Sequence, residues 1–393
     1  MGINIAKNDD GILDSVEWTE GENLILDNIT YGNGVWVGSV YNEMYYSNDG
    51  MSWTVSSSSP TETVADICYA NNIFVASTKG DGIYYSNNGM NWTKGTGFKL
   101  KGYYEDIVYA DNKWVVGGGG DEDLFFAYTD MVYSTNGINW QVSPDAWSDF
   151  WCDCLEYANG KWVMGSYEYG TIYSSDGLAW EMSNLNAYGV HSICYGNNIW
   201  VAATWSEGTW YSSDGENWTR SNISVNYVNA VGYGNGMFIA CCEDAGLYYS
   251  TDAINWQSCS GISKNYYWDT PLYIQGLWIV SGCGGVYHSK DGINWTDSGI
   301  MTSDNDYASY ASPTYSNGLL FVGYDEKIYY STGTWLEQEL TAVEKLQRNN
   351  DALAAIIDAV NNANFTNIYP IAANEEPNAS VGKDGDLMLV VSE

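Results

Sequence analysis

The segment Tyr45–Trp53, YYSNDGMSW, ends one extended run, turns tightly and begins another. It returns as YYSNNGMNW from Tyr84, VYSTNGINW from Val132, IYSSDGLAW from Ile172, WYSSDGENW from Trp210, YYSTDAINW from Tyr248 and VYHSKDGINW from Val286. Asp or Asn beside Gly is turn chemistry. The side-chain oxygen accepts local backbone N–H groups, and Gly takes positive φ. A second turn accompanies the hairpin: YGNG at Tyr31, YANN at Tyr69, YADN at Tyr109, YANG at Tyr157, YGNN at Tyr195, YGNG at Tyr233, YIQG at Tyr273 and YSNG at Tyr315. An apolar strand such as VWVG, KWVV or LWIV follows each of these eight turns. The hairpin Trp residues recur every 38 to 40 positions, with 48 between Trp92 and Trp140. Four short strands per repeat of this length predict a β-propeller, because a single blade cannot bury its own faces.

The eighth copy, Thr314–Ser331, continues as YYSTGTW without the full turn, while an unpartnered strand with a Trp, Ser15–Glu20 (SVEWTE), stands before the first repeat. This strand is expected to complete the last blade and remove the open edge. The fold expected is all-β: an eight-bladed propeller over residues 1–337, with seven blades as the other possible count.

Composition narrows the partners. The chain has 393 residues, 49 acids against 14 bases and a formal charge of −35. The arginines are Arg220 and Arg348. Phosphate backbones are held by Lys and Arg, so nucleic acid is excluded as a partner, and an anionic membrane surface is disfavoured for the same reason. No apolar run reaches the roughly 18 residues of a membrane helix. The N-terminal MGINIAKNDDGILD has no signal-peptide apolar core, so synthesis in a reducing cytoplasm is expected. In that setting the eight cysteines are expected as thiols. Their spacings, with two histidines, do not make a zinc site. No cofactor and no metal are expected.

The hairpin resembles the Asp-box (BNR) repeat of sialidase-like propellers, Ser-x-Asp-x-Gly-x-Thr-Trp, written here one residue shorter. Ser47, Asp49, Gly50 and Trp53 match, as do Ser212, Asp214, Gly215 and Trp218. The resemblance spans about Ser15 to Trp335 and implies the fold more than an activity. Asn88 and Asn136 replace Asp, and Ala253 replaces Gly, which suits a structural turn rather than a catalytic carboxylate. Sialidases of this fold use three arginines, more than this chain holds. Other glycosidases need only two carboxylates at suitable separation. His288 reads as a strand residue, and His191 lies near a loop, with ligand contact the lesser reading and catalysis less still.

The two turn types lie on one face. The other face carries the loops between second and third strands and the crossings between blades, where binding is usually placed. Aromatic faces beside carboxylates suit sugars. The candidate ligand residues are Trp147, Phe150, Trp151, Tyr266, Tyr267 and Trp268, with Glu168 and Glu207; Tyr103, Tyr188 and Tyr227 are further aromatics of the same loops. The insert from Gly117, GGGGDEDLFFAYTD, explains the long gap, and its glycines are read as mobile. Solvated acids, not calcium, are read at Asp121/Asp123 and Asp304/Asp306.

After the propeller, Val343, Leu346, Asn350, Leu353, Ile357 and Val360 form a heptad seam on a helix over residues 338–362, with one Asn to set register. It predicts a homo-oligomer, a trimer first among its states. Residues 363–393 form a tail read as loop, a turn at Asp384–Gly385 and a strand Leu387–Val391. Propeller, oligomerising helix and tail resemble a bacteriophage tail or fibre protein, and VGKDGDLMLVV resembles segments at the ends of phage tail-associated proteins. The resemblance implies a non-enzymatic virion protein, made in the host cytoplasm, that binds host-surface carbohydrate alongside other virion proteins. A polysaccharide-degrading glycosidase and a purely structural virion component are the alternatives.

Overall fold

The structure, a computed structural model, describes residues 18–97, 103–119, 131–144, 150–263, 266–300, 310–324, 327–331, 367–372 and 386–391. The described residues form 34 strands, β1 to β34 in chain order, and no helix. The chain divides into two units, Met1–Trp335 and Leu336–Glu393.

Eight four-stranded antiparallel sheets make up the first unit. Blade 1 runs β2 (Asn28–Gly32), β3 (Val35–Val40), β4 (Glu43–Ser47) and β5 (Thr54–Val55). Blades 2 to 7 repeat this order at residues 64–94, 103–142, 152–182, 190–220, 228–258 and 272–297. Blade 8 takes β30 (Tyr310–Ser316), β31 (Leu319–Tyr324) and β32 (Lys327–Ser331), and is completed by β1 (Thr19–Glu20), with Thr19 opposite Tyr330 and Glu20 opposite Tyr329. The count is therefore eight, and the N-terminal strand closes the ring. Neighbouring blades meet mainly through their first strands, so these line the central channel and the fourth strands lie outermost.

The core lies between blades. Eight apolar clusters of described residues each join one blade to the next. Val37 and Met44 of blade 1 pack with Phe74 and Trp92 of blade 2, and Val163 of blade 4 with Trp200 and Trp218 of blade 5. At the seam, Trp18 is 2% exposed and packs with Leu320, Val322 and Tyr329 of blade 8 and Leu277 and Ile279 of blade 7.

Both repeated turns are explained by backbone geometry. The first joins strands one and two with positive φ at both central residues, as at Asn33 (49°) and Gly34 (79°), the two-residue hairpin that matches strand twist. The Tyr before it sits across the ladder from the aromatic after it. Seven such pairs, Tyr31–Trp36 to Tyr273–Trp278, have ring centroids 4.6–5.1 Å apart, each worth about 0.5–1.5 kcal/mol beyond its burial.

In the second turn, Ser47 Oγ accepts the Gly50 N–H at 2.8 Å, and Asp49 Oδ1 accepts those of Met51 and Ser52 at 2.8 and 2.9 Å. Asn136 makes the same pair of bonds at 3.0 and 2.9 Å, so the turn requires an oxygen and not a charge. The indoles of Trp92, Trp218, Trp256 and Trp295 donate back to the turn carbonyl at 3.1–3.2 Å. The preceding blade grips the same hairpin: Ser58 Oγ, Asn184 Oδ1 and Asn222 Oδ1 accept the N–H of Trp92, Trp218 and Trp256 at 2.7, 2.5 and 3.1 Å. At the turn glycine a Cβ would crowd the previous blade; on Gly89 it would lie 2.5 Å from Val37 Cγ2. Ala253 takes this place in blade 6 with φ 61° and no exposure.

Gly117–Gly119 do not begin a mobile insert, as their composition suggested. They end β11 (Lys113–Gly119), and a Cβ on Gly117 would lie 2.1 Å from Cys152 Sγ of blade 4. Residues 120–130, with Asp121 and Asp123, and residues 301–309, with Asp304 and Asp306, lie outside the described residues, as do Val343, Leu346, Asn350, Leu353, Ile357 and Val360. In the second unit, β33 (Asn367–Ala372) pairs in parallel with β34 (Asp386–Val391). β34 covers the expected strand. β33 corrects the loop expected from Tyr369 onward; its alternating Ile368 and Pro370 sit opposite Leu387 and Leu389.

Local bonds also set the acid response. Against the upward push of partial burial, the N–H groups two and three residues on, with an Asn side chain, hold Asp252 and Asp291 down at about 2. Asp49, Asp176 and Asp214 are also lowered. A carboxyl lowered on folding stabilises fully above its unfolded value near 4, and that contribution is lost as pH falls toward the folded value. Replacing these five Asp by Asn is expected to leave the melting temperature at pH 7 within a few degrees and to flatten its fall between pH 4 and pH 2. Asp214→Ala removes the acceptor itself and is expected to cost roughly 1 kcal/mol at pH 7. Equal melting curves for the Asn and Ala variants would contradict the turn account. Trp18→Ala is expected to cost about 3–5 kcal/mol in urea unfolding; a cost below about 1 kcal/mol would show that the closing strand is dispensable.

Candidate functional site

One register position marks the point where the chain crosses into a blade: the residue before the buried anchor of the first strand. It is Tyr103, Trp151, Gly189, Tyr227 and Tyr267 in blades 3 to 7, ahead of Tyr104, Cys152, Val190, Val228 and Trp268. The loop between second and third strands brings Tyr167 in blade 4 and Trp205 in blade 5 to the same level. Backbone bonds tie these residues into a belt. Gly189 donates to Tyr167 O at 2.6 Å, Trp205 to Gly189 O at 2.9 Å, Tyr227 to Trp205 O at 2.7 Å and Glu243 to Tyr227 O at 2.9 Å.

The side chains along this belt touch in sequence. Tyr167 and Tyr188 have ring centroids 4.4 Å apart, Tyr167 and Trp205 5.8 Å, and Trp205 and Tyr227 6.0 Å. His191 lies between, 5.7 Å from Tyr167 and 5.9 Å from Trp205. A hydrogen bond to Tyr167 pushes the Tyr188 phenol up to about 12. Tyr188 is 45% exposed and Tyr227 50% exposed. Tyr227 also holds φ 56°, where Gly189 in the neighbouring blade holds 71°. A Tyr in this conformation costs about 1–2 kcal/mol, and its ring meets Trp205 edge-on while half the residue stays in solvent.

Beneath the belt, the first strands of blades 2 to 6 and of blade 8 carry a bulge. The bulge falls between Cys152 and Cys154, Val190 and Ser192, and Val228 and Ala230, and so presents Asp153, His191 and Asn229. His191 Nδ1 lies 3.1 Å from Asp153 Oδ2. Asn229 is 8% exposed, and its amide nitrogen meets no hydrogen-bond partner among the described residues. In blade 3, Glu105 pairs with Lys79 at 3.1 Å; in blade 7, Asp269 Oδ2 accepts from Ser312 Oγ at 2.7 Å. The next residue inward clamps neighbouring blades: Asp66 Oδ2 accepts the Ile107 N–H at 3.2 Å and Asp106 Oδ2 that of Leu155 at 2.7 Å. Burial raises Asp66, while burial and the charge of Asp66 push Asp106 well above the carboxylate range. These two carboxyls hydrogen-bond to each other as a structural, proton-sharing pair. Among the described residues no group of three or more His, Cys, Asp or Glu is placed to hold a metal ion.

The residues singled out from sequence divide. Trp151 and Tyr267 occupy the crossing position of the belt register, with Trp151 half-buried and Tyr267 37% exposed. Trp268 and Phe150 do not offer a stacking face. Trp268 has no exposure and its indole donates to Ser263 O at 3.1 Å. Phe150 is 3% exposed and lies in the cluster between blades 3 and 4, beside the exposed Tyr169. Tyr266 is half-buried, edge-on to Trp268 at 6.3 Å. Glu168 is exposed and Glu207 half-buried on the crossing face, where Arg220 Nε donates to the Glu207 carbonyl at 2.8 Å. Trp147 lies outside the described residues. His288 is a buried strand residue, as expected, with Nδ1 2.9 Å from Ser298 Oγ. Tyr167 and Trp205 flank the acids Glu168 and Glu207 in their loops, and nothing in the sequence sets these two rings apart from the chain's other aromatics. The bulge that presents Asp153, His191 and Asn229 leaves no motif.

No protein-family model matches the chain, and no curated protein sequence matches it. Solved structures do. The computationally designed Ika8 protein superposes with a TM-score of 0.61 at 9% identity, covering 79% of this chain and 97% of its own. Sqt1 of Saccharomyces cerevisiae gives 0.57 at 8% identity, covering 81% and 98%. YCF48 bound to a D1 peptide gives 0.51 at 13% identity, covering 70% and 94%. At these identities the likeness establishes the propeller fold and nothing finer.

Tyr227→Gly is expected to raise stability by about 0.5–1 kcal/mol, because it relieves positive φ at little packing cost, while removing one ring from the belt. Thermal unfolding checks this; a loss of stability would show that the ring packs productively and is not held out for a ligand.

Proposed function

We propose that the propeller is a non-enzymatic binding head for cell-surface glycans, with the belt Tyr188–Tyr167–Trp205–Tyr227 as its contact surface. The observation that carries this reading is the exposed Tyr227 held at positive φ within a row of touching rings. Backbone strain kept at an exposed aromatic is typical of binding positions. Sugars present C–H faces to such rings and hydroxyls to the amide and carboxylates beneath them. With net charge −35 and no arginine clamp on the belt, neutral or cationic glycans fit and acidic ones are repelled. The reading extends to a bacteriophage tail or fibre protein, displayed as an oligomer so that weak single sites act together.

Hydrolysis is the second reading, favoured by one observation: burial pushes the Glu156 carboxyl up to about 7, suited to a general acid. Of the rim carboxylates, Glu105 of blade 3 is paired with Lys79.

Binding to host cells and to immobilised cell-surface polysaccharide compares the wild type, a Tyr188→Ala/Trp205→Ala double variant and Asp214→Ala. The double variant is expected to lose tenfold or more in affinity, since two ring truncations at a contact centre cost about 2 kcal/mol or more. Asp214→Ala is expected to bind normally per folded molecule. Undiminished binding by the double variant overturns the proposal. Release of reducing ends by the wild type but not by Glu156→Gln would replace it with the hydrolase.

A further inference from the structure

We infer that the belt selects saccharides carrying a protonated amine over their N-acetylated or uncharged counterparts; this rests on the glycan reading and narrows it. Two features of the crossing face favour the amine, and a third holds the saccharide ring. The first is the row of π faces. The ring contacts run from Tyr188 to Tyr167, from Tyr167 to Trp205 and from Trp205 to Tyr227, and the negative face of each ring attracts an ammonium group more strongly than a neutral one.

The second is the charge beneath and beside those rings. Asp153 stands at the rim, 3.1 Å from His191 Nδ1. Glu168 is exposed beside Tyr167, Glu207 lies in the loop of Trp205, and the Glu243 backbone closes the belt next to Tyr227. Arg220 Nε donates to the Glu207 carbonyl at 2.8 Å. An N-acetylated ligand gives up the attraction to the π faces and to these carboxylates that an ammonium gains.

The third is Asn229. It occupies the bulge position of Asp153 and His191 in the next blade, is 8% exposed, and its amide nitrogen has no partner among the described residues. A buried amide without a hydrogen bond costs free energy that a ligand restores by supplying the missing group. The missing partner of this donor is an acceptor, which a ring hydroxyl supplies, so Asn229 holds the saccharide ring while the π faces and carboxylates set the preference for the amine.

The test titrates the full chain at pH 6, where the amines are charged, with a glucosamine hexamer, an N-acetylglucosamine hexamer, cellohexaose and hexalysine, and repeats the series with Trp205→Ala and Asp153→Asn. The glucosamine hexamer is expected to bind the wild type about tenfold more tightly than the acetylated one, the range of a cation held over aromatic faces beside a carboxylate. That ratio is expected to shrink in about 0.5 M salt and to fall several-fold in Asp153→Asn, while Trp205→Ala weakens all three saccharides. Acetylated or uncharged oligomers binding as well as the amine form overturn the inference and leave the glycan reading standing. Binding of hexalysine as tight as that of the glucosamine hexamer, or glucosamine binding unchanged by Trp205→Ala, overturns it as diffuse attraction to an acidic protein. Failure of every saccharide to bind overturns the glycan reading itself.

Discussion

Each blade is apolar on both faces, and what covers a face is the adjoining blade. The eight clusters that join successive blades are the hydrophobic core of this protein, and each draws its residues from two repeats. The rest follows from that constraint. The row of blades must close on itself, so the chain lends β1 and Trp18 to the last blade. Each hairpin must hold its Trp at one place between blades, so a Ser and an Asp or Asn fix the turn and the preceding blade grips it from outside. Side chains on the inner strands reach across as well, Asp66 to Ile107 and Asp106 to Leu155.

The same constraint separates scaffold from function. The turn face repeats because every blade poses the same packing problem there. The crossing face has no such duty beyond one buried anchor per blade, and the residue ahead of that anchor is free to vary. Gly189 solves the backbone geometry of this position without strain; Tyr227 accepts strain to place a ring over the rim. A stabilising replacement that removes function is the expected signature of such a residue.

The fold was legible in the sequence because its signals are periodic. Asn33–Gly34 and its equivalents read as turns, Trp53 and its equivalents as interface residues, and Trp18 as the missing outer strand. The site was legible only by face. Tyr266, Tyr267 and Trp268 read alike as loop aromatics, yet Trp268 is a buried anchor bridged to Gly282, in the place that Val190 takes opposite Thr204. Tyr266 and Tyr267 differ from Trp268 only in register, which composition does not reveal. Asp153, His191 and Asn229 are three different residue types at one structural position, so no motif joins them. Gly117 looked like flexibility and is close packing against Cys152.

The central claim is that the repeated hairpins build the ring while ligand contact belongs to the belt across blades 4 to 6. Backbone hydrogen exchange, followed along the chain with and without a saturating amine-bearing oligosaccharide, tests it most directly. The account predicts that protection rises at Tyr167–His191, Trp205–Gly208 and Tyr227–Asn229 and stays constant at the hairpins, Ser47–Trp53 and Ser212–Trp218 among them. Protection that rises at the hairpins and not at the belt would contradict it.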